Sequence, residues 1–139
     1  MVSRVRYGAV IVAAGISSRM GKFKPMLSVG KESIIRRTIR LMKNAGADPI
    51  IVVTGYCREI LEAHLRNLDV EFVYNEKYAS TKMFDSALLG LRALKGRCDR
   101  VLFSPGDVPL IREDSIEILK KQEGLLIRPT YRKFRGIQL

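Results

Sequence analysis

Short continuous apolar runs recur along the chain, separated by stretches in which apolar residues return at helical spacing. The runs are Ala9 to Ala14, Ile50-Ile-Val-Val-Thr54, Val70 to Tyr74, Arg100-Val-Leu-Phe103 and Gly124 to Ile127. Brief apolar runs rich in β-branched residues read as strands buried on both faces. After the first, Gly30 and Ser33 open a helix in which Ile34, Ile35, Leu41 and Met42 share a face. Arg36, Arg37, Arg40 and Lys43 take the other. Asn44-Ala-Gly46 stops it, with Gly46 as C-cap. Further helices are predicted from about Arg58 to Leu68, from the Ser80–Ser86 stretch through Gly90-Leu91, and from about Glu113 to Lys121. No repeat, linker or low-complexity stretch interrupts the alternation. It predicts a right-handed, doubly wound α/β sheet in a single domain, residues 1–139.

In such sheets ligands sit at the carboxyl ends of the strands, so the residues just past each strand carry the chemistry. After the first strand comes Gly15-Ile-Ser17-Ser-Arg19-Met-Gly21-Lys-Phe-Lys24. Gly15 and Gly21 let the backbone turn and approach a ligand, leaving N–H groups free for anionic oxygens. Arg19 offers a planar fork of donors and Lys24 a point charge, a pair suited to a polyphosphate. The loop is not a P-loop, because the gap from Gly15 to Gly21 is one residue too long. It is not the dinucleotide fingerprint either, because Ile16-Ser17 follow Gly15 without a second glycine.

After the second strand, Gly55-Tyr56-Cys57 reads as a turn without chemistry. Asn75 follows the third, and beyond it Asp85 and Ser86 lie near a helix start, where each either caps the helix or touches a ligand's sugar or base. The fourth strand runs into Ser104-Pro-Gly106-Asp107-Val-Pro-Leu110. A carboxylate on such a turn either holds Mg²⁺ beside phosphates or caps the helix that follows. His64, the only histidine, is placed in the second helix away from the strand ends and is given no role.

Ala13-Ala14-Gly15, Ser17, Arg19-Met20-Gly21 and Lys24 match the signature Ala-Ala-Gly-x-Ser-x-Arg-Met-Gly-x-x-Lys. In this the chain resembles the nucleotidyltransferases, most of all the MobA-like molybdenum-cofactor cytidylyl- and guanylyltransferases. Gly106-Asp107-x-Pro109-Leu110 is similar to their metal-binding motif, and Asn75 with Ser86-x-x-x-Gly90-Leu91 to a segment lining their nucleotide pocket. Asp85-Ser86 also resembles a cytidine-holding pair in isoprenoid cytidylyltransferases. Many relatives carry glycine where this chain has Lys82, which either reaches the triphosphate or points outward. Pro129, Tyr131 and Gly136 match part of an acceptor-side segment, whereas Lys133 and Ile137-Gln138 depart from it.

The resemblance implies a three-layer α/β/α, Rossmann-like nucleotide-diphospho-sugar-transferase fold with a mostly parallel sheet, short of the family's last elements. It implies Mg²⁺-dependent transfer of a nucleoside monophosphate to a phosphorylated or cofactor-type acceptor. In that scheme Arg19, Lys24 and Asp107 are catalytic, and Asp107 is the metal ligand. Ala13, Ala14, Gly15, Ser17, Gly21, Asn75, Asp85 and Ser86 bind the nucleotide. Ala13-Ala14-Gly15 and Phe23-Lys24 resemble the cytidylyl type, which favours CTP as donor with GTP next.

Composition narrows the alternatives. The formal charge of +11 over 139 residues suits nucleic acid, an anionic surface or a phosphate-rich substrate. Eight basic residues and one acid lie between Arg19 and Lys43. No basic-aromatic interleaving accompanies them, which disfavours nucleic acid and favours a nucleotide with an anionic small-molecule acceptor. No apolar run approaches membrane-spanning length. Cys57 and Cys98 lie far apart without metal-ligand spacing and read as buried, inert thiols suited to a reducing cytoplasm. A nucleotide-binding module without turnover, or a piece of a larger enzyme, is the other reading.

Overall fold

The run after Tyr7 forms β1 (Tyr7–Ala13), buried from Gly8 onward, at the centre of a computed structural model. The structure describes residues 5–15, 24–26, 28–106, 126–129 and 134–137. Alternate side chains of a strand face opposite ways. Ala9, Ile11 and Ala13 therefore enter one core, and Val10 and Val12 another.

A two-stranded hairpin follows, β2 (Ser28–Val29) against β3 (Glu32–Ser33). Gly30 does not open a helix as the sequence suggests. It adopts a φ of +70°, a conformation glycine reaches cheaply, and turns the hairpin. Helix α1 (Ile34–Asn44) starts only after Ser33, whose Oγ accepts from Arg36 N at 3.3 Å. It buries Ile34, Ile35, Thr38, Ile39, Leu41 and Met42. Gly46 ends it at φ +89° while Ala47 N donates to Met42 O at 3.0 Å.

Strand β4 (Ile50–Thr54) is buried throughout. Helix α2 (Arg58–His64) stops at His64 rather than running to Leu68. The chain tightens there, with Arg66 N bonding Ala63 O and Leu68 N bonding Leu65 O, and turns back to the sheet as β5 (Glu71–Tyr74). Helix α3 (Met83–Leu94) leads to β6 (Arg100–Pro105), and the backbone of β7 (Leu126–Pro129) and β8 (Phe134–Ile137) completes the sheet. β8 pairs antiparallel with β7, in the segment that the sequence reads only as acceptor-side.

The sheet order is β5-β4-β1-β6-β7-β8, parallel except at β8. One core joins α1 and α2 to Ala9, Ile11, Ile50 and Val52. The other joins Ala87 and Leu94 of α3 to Val10, Val12, Ile51, Val53 and Phe103. The result is three layers, α/β/α. From β1 the chain steps first toward β4 and β5, and later returns to β6 on the other side. That places the topological switch between β1 and β6. Among the described residues no helix is long and apolar enough to cross a membrane.

Ser33 also joins α1 to α2. Its Oγ lies 2.7 Å from His64 Nε2, and Arg36 Nη1 donates to the His64 carbonyl at 2.9 Å. Burial, and then the Arg36 charge, hold His64 below its ordinary value of 6.5. A base whose pKa is lower folded than unfolded takes its proton first in the unfolded chain. Its contribution is therefore complete above pH 6.5 and is lost as pH falls below it. Thermal midpoints measured from about pH 8 to about pH 5 should decline with acid, and His64→Gln should flatten the lower part of that decline.

Candidate functional site

The carboxyl end of β1 is gripped from both sides. Val12 O accepts from Gly106 N at 2.7 Å, and Ala14 O accepts from Tyr56 N at 3.1 Å. Gly55, read from the sequence as a simple turn, is required by this packing. A Cβ there would lie 2.6 Å from Tyr78 Cβ and 2.7 Å from Ala14 O, closer than atoms approach. Gly55 therefore fixes the spacing between the end of β1 and the segment after β5.

Gly15 differs. It is exposed, has no positive φ, and a Cβ would meet nothing within 4 Å among the described residues. Among the described residues nothing requires glycine here, and the space beside it is open. Gly15→Ala should change unfolding free energy by less than about 0.5 kcal/mol yet weaken triphosphate binding about tenfold through a steric clash. Parallel denaturation and titration calorimetry check both halves.

The far wall is built from Asn75, which is 4% exposed. Its Nδ2 donates to Thr81 Oγ1 and to Ser86 Oγ, each at 2.9 Å, and its Oδ1 accepts from Lys77 N at 3.0 Å. Both amide protons are thereby used, so Asn75 orients two hydroxyls and does not itself line the cleft. Thr81 passes its proton to Lys77 O at 2.8 Å. Asp85 Oδ2 accepts from Lys82 N at 2.9 Å, so the capping alternative describes Asp85. Lys82 precedes α3 at φ −101°, backbone that any residue adopts, so its replacement of a glycine imposes no strain.

Between these walls lies a cleft lined by Val12, Ala13, Ala14, Gly15 and Pro25 on one side. Tyr78, Thr81, Lys82, Met83 and Ser86 form the other. The described walls enclose about 130 Å³, below the ~300–1,000 Å³ of a whole small-molecule pocket. They form part of a site rather than all of it.

Of the residues singled out in the sequence, Ala13, Ala14, Gly15 and Ser86 meet at this cleft, while Asn75 stands behind it and Asp85 caps the helix beside it. The backbone of Lys24 begins a single 3₁₀ turn, Lys24–Met26, whose Pro25 lines the cleft. Ser17, Arg19, Gly21 and Asp107 lie outside the described residues, Asp107 one residue beyond Gly106. The sequence reading missed Pro25, Tyr78 and Thr81. Thr81 was detectable as a hydroxyl six residues after a strand-end asparagine. Tyr78, whose ring centroid stands 6.2 Å from that of Tyr56, carries no comparable signal. Cys57 and Cys98 are half-buried rather than buried, and Cys57 adopts a left-handed φ of 59° before α2. Burial pushes the Cys98 thiol up.

Comparison with known proteins gives the family. The model of the MobA-like NTP transferase domain matches residues 9–136. The bifunctional protein GlmU of Francisella philomiragia is 37% identical over 114 residues, which is 81% of this chain and 24% of that protein. A nucleotidyl transferase from Methanothermobacter superposes with a TM-score of 0.77 at 28% identity, over 86% of this chain and 59% of that one. CTP:phosphocholine cytidylyltransferase from Streptococcus pneumoniae does so with 0.64 at 26%, over 79% and 50%. The chain thus spans about a quarter of the curated relatives it matches and half to three-fifths of these structures.

Proposed function

The chain belongs to the MobA-like NTP transferase family, and on that premise we propose that it transfers a nucleoside monophosphate from a triphosphate to an anionic small-molecule acceptor. CMP from CTP is favoured, with GTP next. The observation that carries the reading is the cleft at the carboxyl end of β1, facing the start of α3. Ala13, Ala14 and Gly15 line one side of it, and at Gly15 a Cβ would meet nothing within 4 Å among the described residues.

An oxygen of the acceptor, phosphorylated or cofactor-type, attacks the α-phosphorus in line. A new P–O bond forms, the bond between the α-phosphorus and the bridging oxygen breaks, and pyrophosphate leaves with that oxygen's electron pair. Such a reaction needs positioning and charge neutralisation rather than a covalent protein nucleophile. The backbone around Ala13–Gly15 holds base and sugar, together with Ser17 and Gly21. Asn75 keeps the Thr81 and Ser86 hydroxyls at the opposite wall. Arg19 and Lys24 neutralise the triphosphate. Tyr131 and its neighbouring arginines would serve the acceptor side.

A Mg²⁺ ion suits the donor set available, one carboxylate at the end of β6 beside phosphate oxygens and water. Asp107 would hold it, and when bound it supplies charge stabilisation at the α-phosphate and the leaving pyrophosphate. The CTP preference draws support from the cytidylyltransferase named above and from Phe23-Lys24.

Calorimetric titration of the four ribonucleoside triphosphates, with and without Mg²⁺, tests the reading. Base-selective, Mg²⁺-enhanced binding followed by pyrophosphate release with an acceptor supports it. Selective binding without turnover for any acceptor makes the protein a nucleotide-binding module instead. Salt-steep oligonucleotide binding that ignores triphosphates would sink both.

A further inference from the structure

β5 forms one edge of the sheet, and among the described residues nothing pairs with its outer side. In a parallel ladder, alternate residues turn their N–H and C=O to opposite sides. Asn75 N donates to Thr54 O at 2.8 Å, so Glu71, Val73 and Asn75 turn these groups toward β4. Those of Phe72 and Tyr74 therefore face outward. Exposed edges are ordinarily guarded by a lysine, a proline, a bulge or an unpaired charge. Glu71-Phe-Val-Tyr74 has no lysine or proline and keeps an unbroken register with β4. Its one charge, Glu71, is engaged by the Arg97 guanidinium. Phe72, Val73 and Tyr74 favour strands and are only half-buried.

The charges beside this edge point the same way. The chain carries +11 overall, so two copies repel on average. Residues 58–77 run against that balance, with five acids and three bases. α2 crosses back between the parallel strands β4 and β5 and so runs opposite to β5, with the Arg58 guanidinium 4.3 Å from the centroid of the Tyr74 ring. Glu59 at the start of α2 and Arg66 just past its end line one groove with Val70 and Phe72. Arg58 is paired with Glu62 at 3.0 Å, whereas Glu59 and Arg66 have no ion partner among the described residues. The groove along β5 thus carries an unpaired acid toward one end and an unpaired base toward the other.

We propose that a second copy of this chain pairs on β5, antiparallel and about a two-fold axis, giving a reversible dimer with one continuous sheet. A two-fold contact needs a surface that complements itself. The outward groups of Phe72 and Tyr74 supply donors and acceptors in equal number. Reversal of the partner strand brings Glu59 toward the partner's Arg66, and Arg66 toward the partner's Glu59. The side chains of Phe72 and Tyr74 meet aromatic or β-branched counterparts across the new pair. Four residues of strand make a small interface, so half-association is expected between about 1 μM and about 1 mM. The inference does not rest on the transferase reading, and its test involves no nucleotide.

Sedimentation equilibrium across that range should show the mass rising from one chain to two. Amide hydrogen exchange should show protection of Phe72 and Tyr74 growing with concentration, because these amides are bonded only in the dimer. Glu59→Arg and Arg66→Glu should each weaken association about tenfold, by turning two attractions into two repulsions. The two variants move the net charge in opposite directions, so a general charge effect would strengthen association in one and weaken it in the other. The double exchange, Glu59→Arg with Arg66→Glu, should return to within about threefold of wild type. Both positions are exposed, so thermal midpoints should hold in all three variants. A mass that stays at one chain up to about 1 mM overturns the proposal. Association that leaves the Phe72 and Tyr74 amides unprotected, or that ignores both single variants, places the contact on another face and overturns it equally. So does a mass that climbs past two chains, because one free edge closes a dimer.

Discussion

Asp107→Ala is expected to abolish the Mg²⁺ dependence of triphosphate binding and to reduce kcat/KM by at least about 10²–10³-fold. The size follows from the placement of its neighbour. Gly106, the residue before Asp107 in sequence, donates through its N to Val12 O at 2.7 Å, at the end of β1 where the triphosphate is proposed to lie. Losing the carboxylate there would leave the charge on the α-phosphate and the leaving pyrophosphate without its metal partner. The competing role for Asp107, a cap on the following helix, predicts a different result. A lost cap costs about 1 kcal/mol of stability and leaves binding intact. Titration with and without Mg²⁺, paired with thermal unfolding of the same variant, separates the two. Asp107→Asn keeps most capping capacity while removing the charge, so it should behave like Asp107→Ala in binding and like wild type in stability.

Gly90→Ala should be strongly destabilising, although alanine is ordinarily the better helix former by about 1 kcal/mol. Gly90 is where α3 crosses the sheet. A Cβ would lie 2.5 Å from Val10 Cγ1 and 3.1 Å from Val53 Cγ2. Val10 is β-branched and fully buried in the central strand, so its side chain is stiff and tightly surrounded. The helix must lift, loosening Ala87 and Leu94 in the same core. Overpacking of this kind costs about 1–3 kcal/mol. Val10→Ala reopens the space, so the double variant should be more stable than the sum of the two single changes by about 1 kcal/mol or more. Chemical denaturation of the four proteins measures that coupling, and simple additivity would show that α3 does not rest on Val10. Because α3 carries Lys82 and Ser86 at its other end, Gly90→Ala should also weaken ligand binding, whereas a surface change such as Lys95→Ala should not.

The parts of the fold legible in the sequence are those where a local pattern and the global packing demand the same thing. Ile50–Thr54 is readable to the residue because an apolar, β-branched run is bounded by Pro49 and Gly55. α1 is readable because Ser33 caps it and Gly46 closes it. Gly30 misleads because the same residue type that ends helices also turns hairpins, and only the pairing of Ser28 with Ser33 decides between them. β8 is hidden because its four residues gain strand character from β7 rather than from their own pattern.

The site divides similarly. Ala13–Gly15 and Ser86 can be found from motif and position. The saturation of Asn75 and the role of Gly55 depend on distances between segments far apart in sequence. No periodicity encodes them.

The position of β1 has a consequence for synthesis. Of the described strands it is made first, and its two partners, β4 and β6, follow much later in the chain. Tyr7 pairs with Arg100, and Arg6 N reaches Asp99 across 93 residues. At ~5–20 residues per second, a strand apolar on both faces waits about 5–20 s for its second neighbour. During that interval Val10, Ile11 and Val12 are open to any passing hydrophobic surface. The nascent chain is therefore expected to engage a holding chaperone through β1, and to be released once β6 emerges.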